Sequence, residues 1–290
     1  MGKHGKTIKI FLIDGDANGR MSCELSNWTG KAYKIPRIKV KECVDRNDLT
    51  STGVYLLFGK NDEGQDMVYI GEAESVLRRL NQHLAQKDFW NEVIVFISKD
   101  ENLNKAHIKY IENRLHDIAI SSNRYKLDNV TIPTLSSISE SDRAEMEEFI
   151  ENLRMLVNTL GHKVFDDKRE ISNNNRNKLF QIKAARGADA LGEPTSDGFL
   201  VFKGSKAANS ITPSLSPSIV RLRENLIEKN IVQNLNDILI FSEDYIFTSP
   251  SLAAAIVMGR SANGLEEWKL KTGQSLKSFE TNNQEETLDR

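Results

Sequence analysis

Hydrophobic and polar positions alternate in different periods along the chain, and each change of period predicts a new element. TIKIFLI and RMSCELS flank the turn residues DGDANG and predict two strands, and WTGKAYKIPRIKVKECV continues the β pattern. From Ser51 to about Asn129 the pattern predicts strand, turn, strand, helix, strand and helix. We therefore expect an N-terminal β arm over 1–50, followed by a compact α+β domain over 51–135.

The next segment has the spacing of one long helix. SISESDRAEMEEFIENLRMLVNTLG places apolar residues at helical intervals between an N-cap at Ser139 or Ser141 and a stop at Gly161. The residues after it are polar and rich in asparagine, and then contain glycine and proline. A connecting helix and a linker are predicted over 136–196.

Alternation returns near Asp197, where GFLVFKG predicts a strand and later segments predict an amphipathic helix and a strand pair. SPSLAAAIVMG predicts a helix with Ser249 as its N-cap and Gly259 as its end. A separate C-terminal α+β domain is therefore expected over 197–280, and a disordered tail over 281–290.

Composition excludes several classes of protein. The 290 residues carry a net charge of −2, which argues against a generally basic nucleic-acid coat. The apolar run Leu252 to Met258 is far shorter than the roughly 18 residues of a membrane span, and MGKHGKTIKI lacks the apolar core of a secretory signal. Two cysteines are too few for a disulfide framework. A cytoplasmic protein without a membrane partner is the expectation.

Two tyrosines in the predicted hairpin are the first candidates for chemistry. A turn symmetric about Asp62 would place Tyr55 opposite Tyr69, with the two phenols side by side on one face. Gly53 and Gly71 flank the pair, where a larger side chain would block close approach by a ligand. The alternative is an ordinary pair of cross-strand aromatic residues.

Polar residues also border the apolar stripes of the two predicted helices. In ESVLRRLNQHL, Arg79 and His83 are spaced i, i+4 beside the stripe that contains Leu80. In NKAHIKYIENRLHDIAI, Glu112 lies at the rim of the stripe that contains Ile111. Such residues are commonly solvated, but a carboxylate at a rim is also a candidate ligand for a divalent metal.

Taken together, these residues form an ordered pattern. GVY at 53–55, YIG at 69–71, then Arg79, His83 and Glu112 resemble the signature of the GIY-YIG nuclease superfamily. LSNWTGKA in the arm and GRSANGLEEW near the end resemble segments of a bacterial subgroup that carries a C-terminal domain of unassigned function.

The resemblance implies a small three-stranded antiparallel sheet flanked by helices, which hydrolyses phosphodiesters with one divalent cation. It implies that Glu112 is the sole protein ligand to Mg²⁺ or Mn²⁺ and that Arg79 faces the scissile phosphate. Tyr55 would be a general base or would orient water, and Tyr69 and His83 would position groups or relay protons.

One further site residue of the family is an asparagine, for which this chain offers two candidates in SSNRYKLDN. They are Asn123 and Asn129, and Asn129 is favoured.

Three functions remain open at this point. The favoured one is a metal-dependent DNA endonuclease, and the alternative is a nucleic-acid-binding or regulatory module that keeps the fold without cutting. The third is an adaptor whose C-terminal domain docks a protein partner. Residues 1–50 carry ten basic and six acidic side chains, so a cluster within this arm is the predicted grip on the DNA backbone. The cluster comprises Lys31, Lys34, Arg37, Lys39 and Lys41.

Overall fold

The chain folds as a mixed α+β protein with two sheets. The computed structural model describes residues 4–166, 179–235 and 238–281. They divide into two compact units, Met1–Arg169 and Glu170–Arg290. The predicted tail 281–290 lies outside the described residues, apart from Thr281, which is helical together with 276–280.

The first unit is built on one seven-stranded sheet in the order β1-β2-β3-β6-β4-β5-β7. Neighbouring strands are antiparallel except β5 and β7, which are parallel. The strands are β1 (Ile8–Leu12), β2 (Met21–Leu25), β3 (Gly30–Pro36), β4 (Gly53–Lys60), β5 (Asp66–Ala73), β6 (Trp90–Ser98) and β7 (Lys126–Leu127).

Helices cover both faces of this sheet. On one face Leu56 and Phe96 pack in a core with α2 (Lys105–Ser122) and α3 (Glu140–Thr159). On the other face Leu57 and Val95 pack with α1 (Val76–Gln86) and a 3₁₀ helix at Arg37–Asp45; a second 3₁₀ helix spans Asn47–Thr50. Alternation of side chains along each strand therefore divides the apolar residues between two cores.

The predicted N-terminal arm is not a separate piece of structure. Strand β3 pairs along its whole length with β6, from Gly30 opposite Ser98 to Pro36 opposite Glu92. Ala32 and Ile35 of β3 are fully buried. The three strands expected over 51–98 are present, but β1, β2 and β3 extend them into one sheet because β6 pairs with β4 on one edge and with β3 on the other.

The long helix also differs in role from the expectation. It begins after Ser139, whose hydroxyl accepts the backbone N–H of Asp142, and the chain leaves it through Gly161 at φ +102°. Its apolar residues Phe149, Ile150 and Leu153 are buried in the first unit's core. It is a core helix of that unit and does not connect two domains.

The second unit contains another seven-stranded sheet. The order is β12-β13-β11-β9-β10-β14, and β8 pairs with β9. The strands are β8 (Phe180–Lys183), β9 (Asp189–Thr195), β10 (Gly198–Val201), β11 (Lys206–Ala207), β12 (Val232–Leu235), β13 (Ile238–Phe241) and β14 (Tyr245–Phe247). The helices are α4 (Pro217–Glu228), α5 (Pro250–Met258) and α6 (Gly264–Glu267).

The second unit begins earlier than the predicted boundary at residue 197. Strands β8 and β9 lie within the stretch assigned to the linker, and Phe180, Ile182 and Ala190 are buried in the second core. Polar and glycine residues between these buried positions hid the two strands. Part of the predicted linker, 167–178, lies outside the described residues.

The predicted cap of α5 is confirmed. The Ser249 hydroxyl accepts the N–H of Leu252, and Gly259 ends the helix at φ +62°. In the part of the chain that the structure describes, no helix has the length and apolar character to cross a membrane.

Candidate active site

The β4–β5 hairpin sets the geometry of the site, in a register that differs from the prediction. Tyr55 pairs with Gly71, and Tyr69 pairs with Leu57. The loop explains the shift, because the Asn61 side chain accepts the backbone N–H groups of Glu63 and Gln65, at 3.1 and 2.8 Å. The hairpin is therefore centred on Glu63, one residue later than Asp62.

The two glycines of the hairpin, Gly71 and Gly53, are required by the packing of the protein itself. A Cβ on Gly71 would lie 2.4 Å from the phenolic oxygen of Tyr55, because the ring crosses the glycine. A Cβ on Gly53 would lie 2.4 Å from the carbonyl oxygen of Phe96. We expected these glycines to leave room for a ligand. In the structure Gly71 instead leaves room for the Tyr55 ring, and Gly53 leaves room for the neighbouring strand β6.

Tyr55 is fully buried and connects β4 to α1. Its oxygen lies 2.8 Å from Nε2 of His83, and Nε of Arg79 donates to the same oxygen at 3.4 Å. The Tyr69 ring lies on the same face, with centroid distances of 6.2 Å to Tyr55 and 5.2 Å to His83. Four of the predicted site residues are therefore in one contact network.

Burial determines the protonation of this network. It lowers the pKa of His83 to about 4, and the positive charges of Arg79 and Lys87 act in the same direction. His83 is therefore neutral at pH 7, so its Nε2 can accept the Tyr55 hydroxyl. Its Nδ1 is buried without a hydrogen-bond partner in the described part of the chain.

The surroundings of Tyr55 favour the protonated phenol. Burial raises the pKa of the Tyr55 phenol above its ordinary value, and the neighbouring Tyr69 raises it further. A general base requires the opposite shift. In this arrangement the phenol is hydrogen-bonded to His83 and accepts a hydrogen bond from Arg79.

A cleft opens at the edge of β5, where the helices of the two faces approach each other. Its volume is about 430 Å³. Tyr69, Arg79 and His83 line it from the α1 face, and Glu112 of α2 lines it from the opposite face. The edge strand thus allows residues from both sides of the sheet to share one space.

Asn129 lies in this cleft and holds its loop against β5. Its Oδ1 accepts the N–H of Ile70 at 3.0 Å, and its Nδ2 donates to the Ile70 carbonyl at 2.8 Å. The side chain therefore occupies the place of a neighbouring strand beyond β7. Asn123 instead ends α2 in the left-handed conformation at φ 47°, so of the two candidates Asn129 is the one that lines the cleft.

Glu112 lines the cleft from α2 with a half-buried carboxylate. Burial raises its pKa to about 7, and the negative charge of Glu72 on β5 contributes. Lys105 donates to Glu72 at 3.1 Å. Within the described ranges no group of three His, Cys, Asp or Glu side chains could hold a metal ion. A half-buried carboxylate suits a hard cation that keeps several waters, so the residues fit Mg²⁺ with one protein ligand.

The sequence reading missed Lys87 and Asp128. Lys87 follows His83 by four residues, its Nζ lies 4.3 Å from the centre of the Tyr69 ring, and it forms an ion pair with Asp128. Both residues line the cleft. The i, i+4, i+8 spacing of Arg79, His83 and Lys87 was the signal that could have found the lysine.

Four members of the predicted basic cluster have partners within the protein. Arg37 donates to the carbonyls of Leu84 and Lys87 at the end of α1 and stacks on Trp90. The other three form ion pairs, Lys31 with Asp48, Lys34 with Glu92, and Lys39 with Glu42. Lys41 is exposed. The cluster's positive charge is thus largely paired internally.

In the second unit, the residues of GRSANGLEEW build a corner between α5 and α6. Trp268 is fully buried and donates from its indole nitrogen to the Pro250 carbonyl at 3.0 Å. Asn263 caps α6, and a Cβ on Gly264 would lie 2.2 Å from Pro250 backbone atoms. Packing therefore explains the tryptophan, the asparagine and the glycine of this motif.

Comparison with known families agrees with this division. Residues 180–280 match the family model described as a domain of unknown function, DUF4357. The match begins at the first residue of β8, and it confirms the expected C-terminal domain while moving its start from 197 to 180. No curated protein and no solved structure matches the chain.

Proposed function

We propose that this protein is a divalent-metal-dependent endonuclease of the GIY-YIG type that hydrolyses phosphodiester bonds in DNA. The observation that supports it is the shared cleft. Arg79 and Glu112 come from helices on opposite faces of the sheet and line the same 430 Å³ space with Tyr69, His83 and Asn129. A guanidinium and a carboxylate arranged in this way can receive a phosphate and its metal ion together.

Arg79 is oriented before substrate arrives. Its Nε donates to Tyr55 and one terminal nitrogen donates to Gln82 at 2.9 Å. The hydrogen bond to Tyr55 is the main cause that raises the Arg79 pKa, so the group stays charged. A fixed, charged guanidinium stabilises the added negative charge of a phosphoryl transition state without reorganising.

Glu112 would hold Mg²⁺ or Mn²⁺, with water and phosphate oxygens completing the coordination. When bound, such an ion stabilises negative charge on the phosphate and the leaving oxygen. The raised pKa of Glu112 means that part of the carboxyl population is protonated at pH 7. Metal binding at this residue should therefore strengthen as the pH rises above 7.

His83 and Tyr69 complete the wall that faces the substrate. His83 is neutral and its Nε2 is engaged by Tyr55, so the imidazole is held in one orientation. Tyr69 lies between His83 and Lys87, which fixes its ring at the cleft surface. These two residues would position the attacking water and the phosphate, while Tyr55 supports them from behind.

The direct test is nicking of supercoiled plasmid in Mg²⁺ by the full chain and by Glu112→Gln and Arg79→Lys. Each variant should lose about 10²-fold or more in rate, since each removes a group that acts on transition-state charge. Glu151→Gln changes an exposed acid on α3 and should cut as the wild type does. Equal rates for the wild type and Glu112→Gln would refute the proposal.

The pairing of the basic side chains favours a second candidate, a module that binds nucleic acid without cutting. Residues 51–130 carry ten basic and twelve acidic side chains, and Lys87 is paired with Asp128. Such a module would bind DNA through Arg79 yet show no metal-dependent nicking. Binding that Arg79→Lys weakens, together with no product on plasmid, single-stranded or branched DNA, would favour this reading.

A protein partner of the C-terminal domain is a separate proposal. Capture of a partner by the full chain, lost when the exposed residues of the second unit are altered and kept in Glu112→Gln, would support the adaptor role.

A further inference from the structure

A second cavity of the first unit lies away from the proposed active site. We call it the Trp28 cavity; its volume is about 480 Å³. Its walls come from the turn before β3, the loop after β6, and α3. Trp28, Leu103, Met146 and Phe149 form the apolar part of the lining, so the cavity has an aromatic floor large enough for a planar guest.

The indole of Trp28 is held in place. A Cβ on Gly30 would lie 2.2 Å from the indole ring, so the glycine lets the ring pack flat on the backbone. The ring of Phe149 is 4.8 Å away, centroid to centroid. Trp28 is half-buried, whereas Trp90 and Trp268 are almost wholly buried. Among the three tryptophans it is thus the one that presents its ring to a guest.

The rim of this cavity is acidic. Asp100, Glu145 and Glu148 line it, and none of the described lining residues is a lysine or arginine. Asp100 accepts from Ser98 and Asn102, which fixes its carboxylate. Glu145 and Glu148 are exposed and form no ion pair with any residue in the described ranges.

This combination selects one class of guest. Three carboxylates repel a phosphate, so the charge disfavours a nucleotide. A lysine ammonium would satisfy the charge, but it lacks the planar face that matches an indole. A guanidinium stacks on an aromatic ring and donates two parallel hydrogen bonds to a carboxylate. The remaining titratable neighbour, His107, is engaged through Nδ1 with the Asn102 carbonyl and through Nε2 with Asn104.

We propose that the Trp28 cavity binds an arginine side chain from a basic segment of a protein partner. The guanidinium stacks on Trp28, and Glu145 and Glu148 accept its hydrogen bonds at the rim. This inference is independent of the nuclease proposal, since it uses none of the residues of the cleft.

The probe is L-arginine amide, followed by Trp28 fluorescence and by calorimetry on the full chain. A ligand of this size should bind with a dissociation constant of about 1 mM. L-citrulline amide has nearly the same shape without the side-chain charge, and it should bind about tenfold or more weakly. L-lysine amide should also bind more weakly, because it keeps the charge without the plane. Equal binding of arginine and citrulline amides would overturn the proposal, as would tighter binding of adenosine.

A matched pair of double variants tests the carboxylates. Glu145→Gln with Glu148→Gln should weaken binding of arginine amide by about threefold or more, as expected for two exposed ion pairs. Glu140→Gln with Glu151→Gln removes the same charge from the same helix outside the cavity and should leave the affinity within twofold. All four positions are exposed, so both proteins should fold. The same loss in both pairs would show a general charge effect and refute the site.

Discussion

The phenolic oxygen of Tyr55 lies 2.8 Å from Nε2 of His83 and joins strand β4 to helix α1. Both side chains are almost completely buried, so the hydrogen bond is shielded from water. It holds the imidazole in place and, through the hydrogen bond from Arg79, orients the guanidinium. The cleft wall formed by His83 and Arg79 is therefore supported by Tyr55, which lies behind it.

Tyr55→Phe tests this support. The ring and its packing remain, but His83 Nε2 loses its partner, which should lower the free energy of unfolding by about 1–3 kcal/mol. Nicking activity should fall more than DNA affinity, because the variant disturbs orientation and leaves charge in place. Urea unfolding and plasmid nicking measure the two effects, and unchanged values of both would contradict the support role.

His83 should make the free energy of unfolding depend on pH. Burial lowers its pKa to about 4 from 6.5, so the unfolded chain binds more protons between these values. The contribution of His83 is therefore present above pH 6.5 and is lost as the pH falls toward 4, by about 2–3 kcal/mol. Denaturant unfolding across this range should show less loss for His83→Gln than for the wild type, with exposed His4→Gln as the control.

Glu112 should change the stability of the protein in the opposite direction over a similar pH range. Burial raises its pKa from 4.5 to about 7, so the folded chain binds more protons there. Its contribution is fully present below pH 4.5 and is lost as the pH rises through 7. Glu112→Gln should therefore be more stable than the wild type at pH 8 by about 1–3 kcal/mol and equal to it near pH 4. Mg²⁺ should raise the melting temperature of the wild type at pH 8, EDTA should reverse this, and the variant should respond to neither.

Gly71→Ala should disrupt the tyrosine network. The added methyl group would lie 2.4 Å from the Tyr55 oxygen, so the phenol must move away from His83. We expect a loss of about 1–3 kcal/mol in stability, typical of overpacking in a core. Gly5→Ala meets nothing within 4 Å and serves as the control in the same thermal unfolding measurement.

Asn129→Ala should loosen one wall of the cleft. It removes both hydrogen bonds to the Ile70 backbone, and we expect a loss of about 1–3 kcal/mol and faster amide exchange at Ile70. Asn123→Gly is the comparison, because glycine favours the left-handed conformation at that position. Similar exchange at Ile70 in both variants would argue against the bracing role of Asn129.

Local chemistry was readable from the sequence. The cap at Ser249 and the end of α5 at Gly259 were predicted from residue type alone, since caps depend on neighbours within one turn. The centre of the β4–β5 hairpin was missed by one residue, and each cross-strand partner by two, because the Asn61 side chain accepts two loop N–H groups and sets the turn.

Contacts between residues that are distant in the sequence could not be predicted from the pattern of hydrophobic and polar positions. His83 was expected at the border of a helix stripe, but its burial depends on the hydroxyl of Tyr55, 28 residues earlier. Pairing of β3 with β6 joins segments about 60 residues apart, and the sequence of neither strand indicates which strand it pairs with. The Trp28 cavity likewise requires three segments that only the fold brings together.

The position of β6 between β3 and β4 bears on how the chain can be divided. Removing residues 1–50 would leave seven residues of β6 without the backbone hydrogen-bond partners that β3 provides. It would also remove the guanidinium of Arg37 from the carbonyls that close α1. A fragment starting at β4 would thus expose a long, flat, apolar strand edge, which is prone to self-association. The smallest portion of the first unit that we expect to fold independently therefore includes β3.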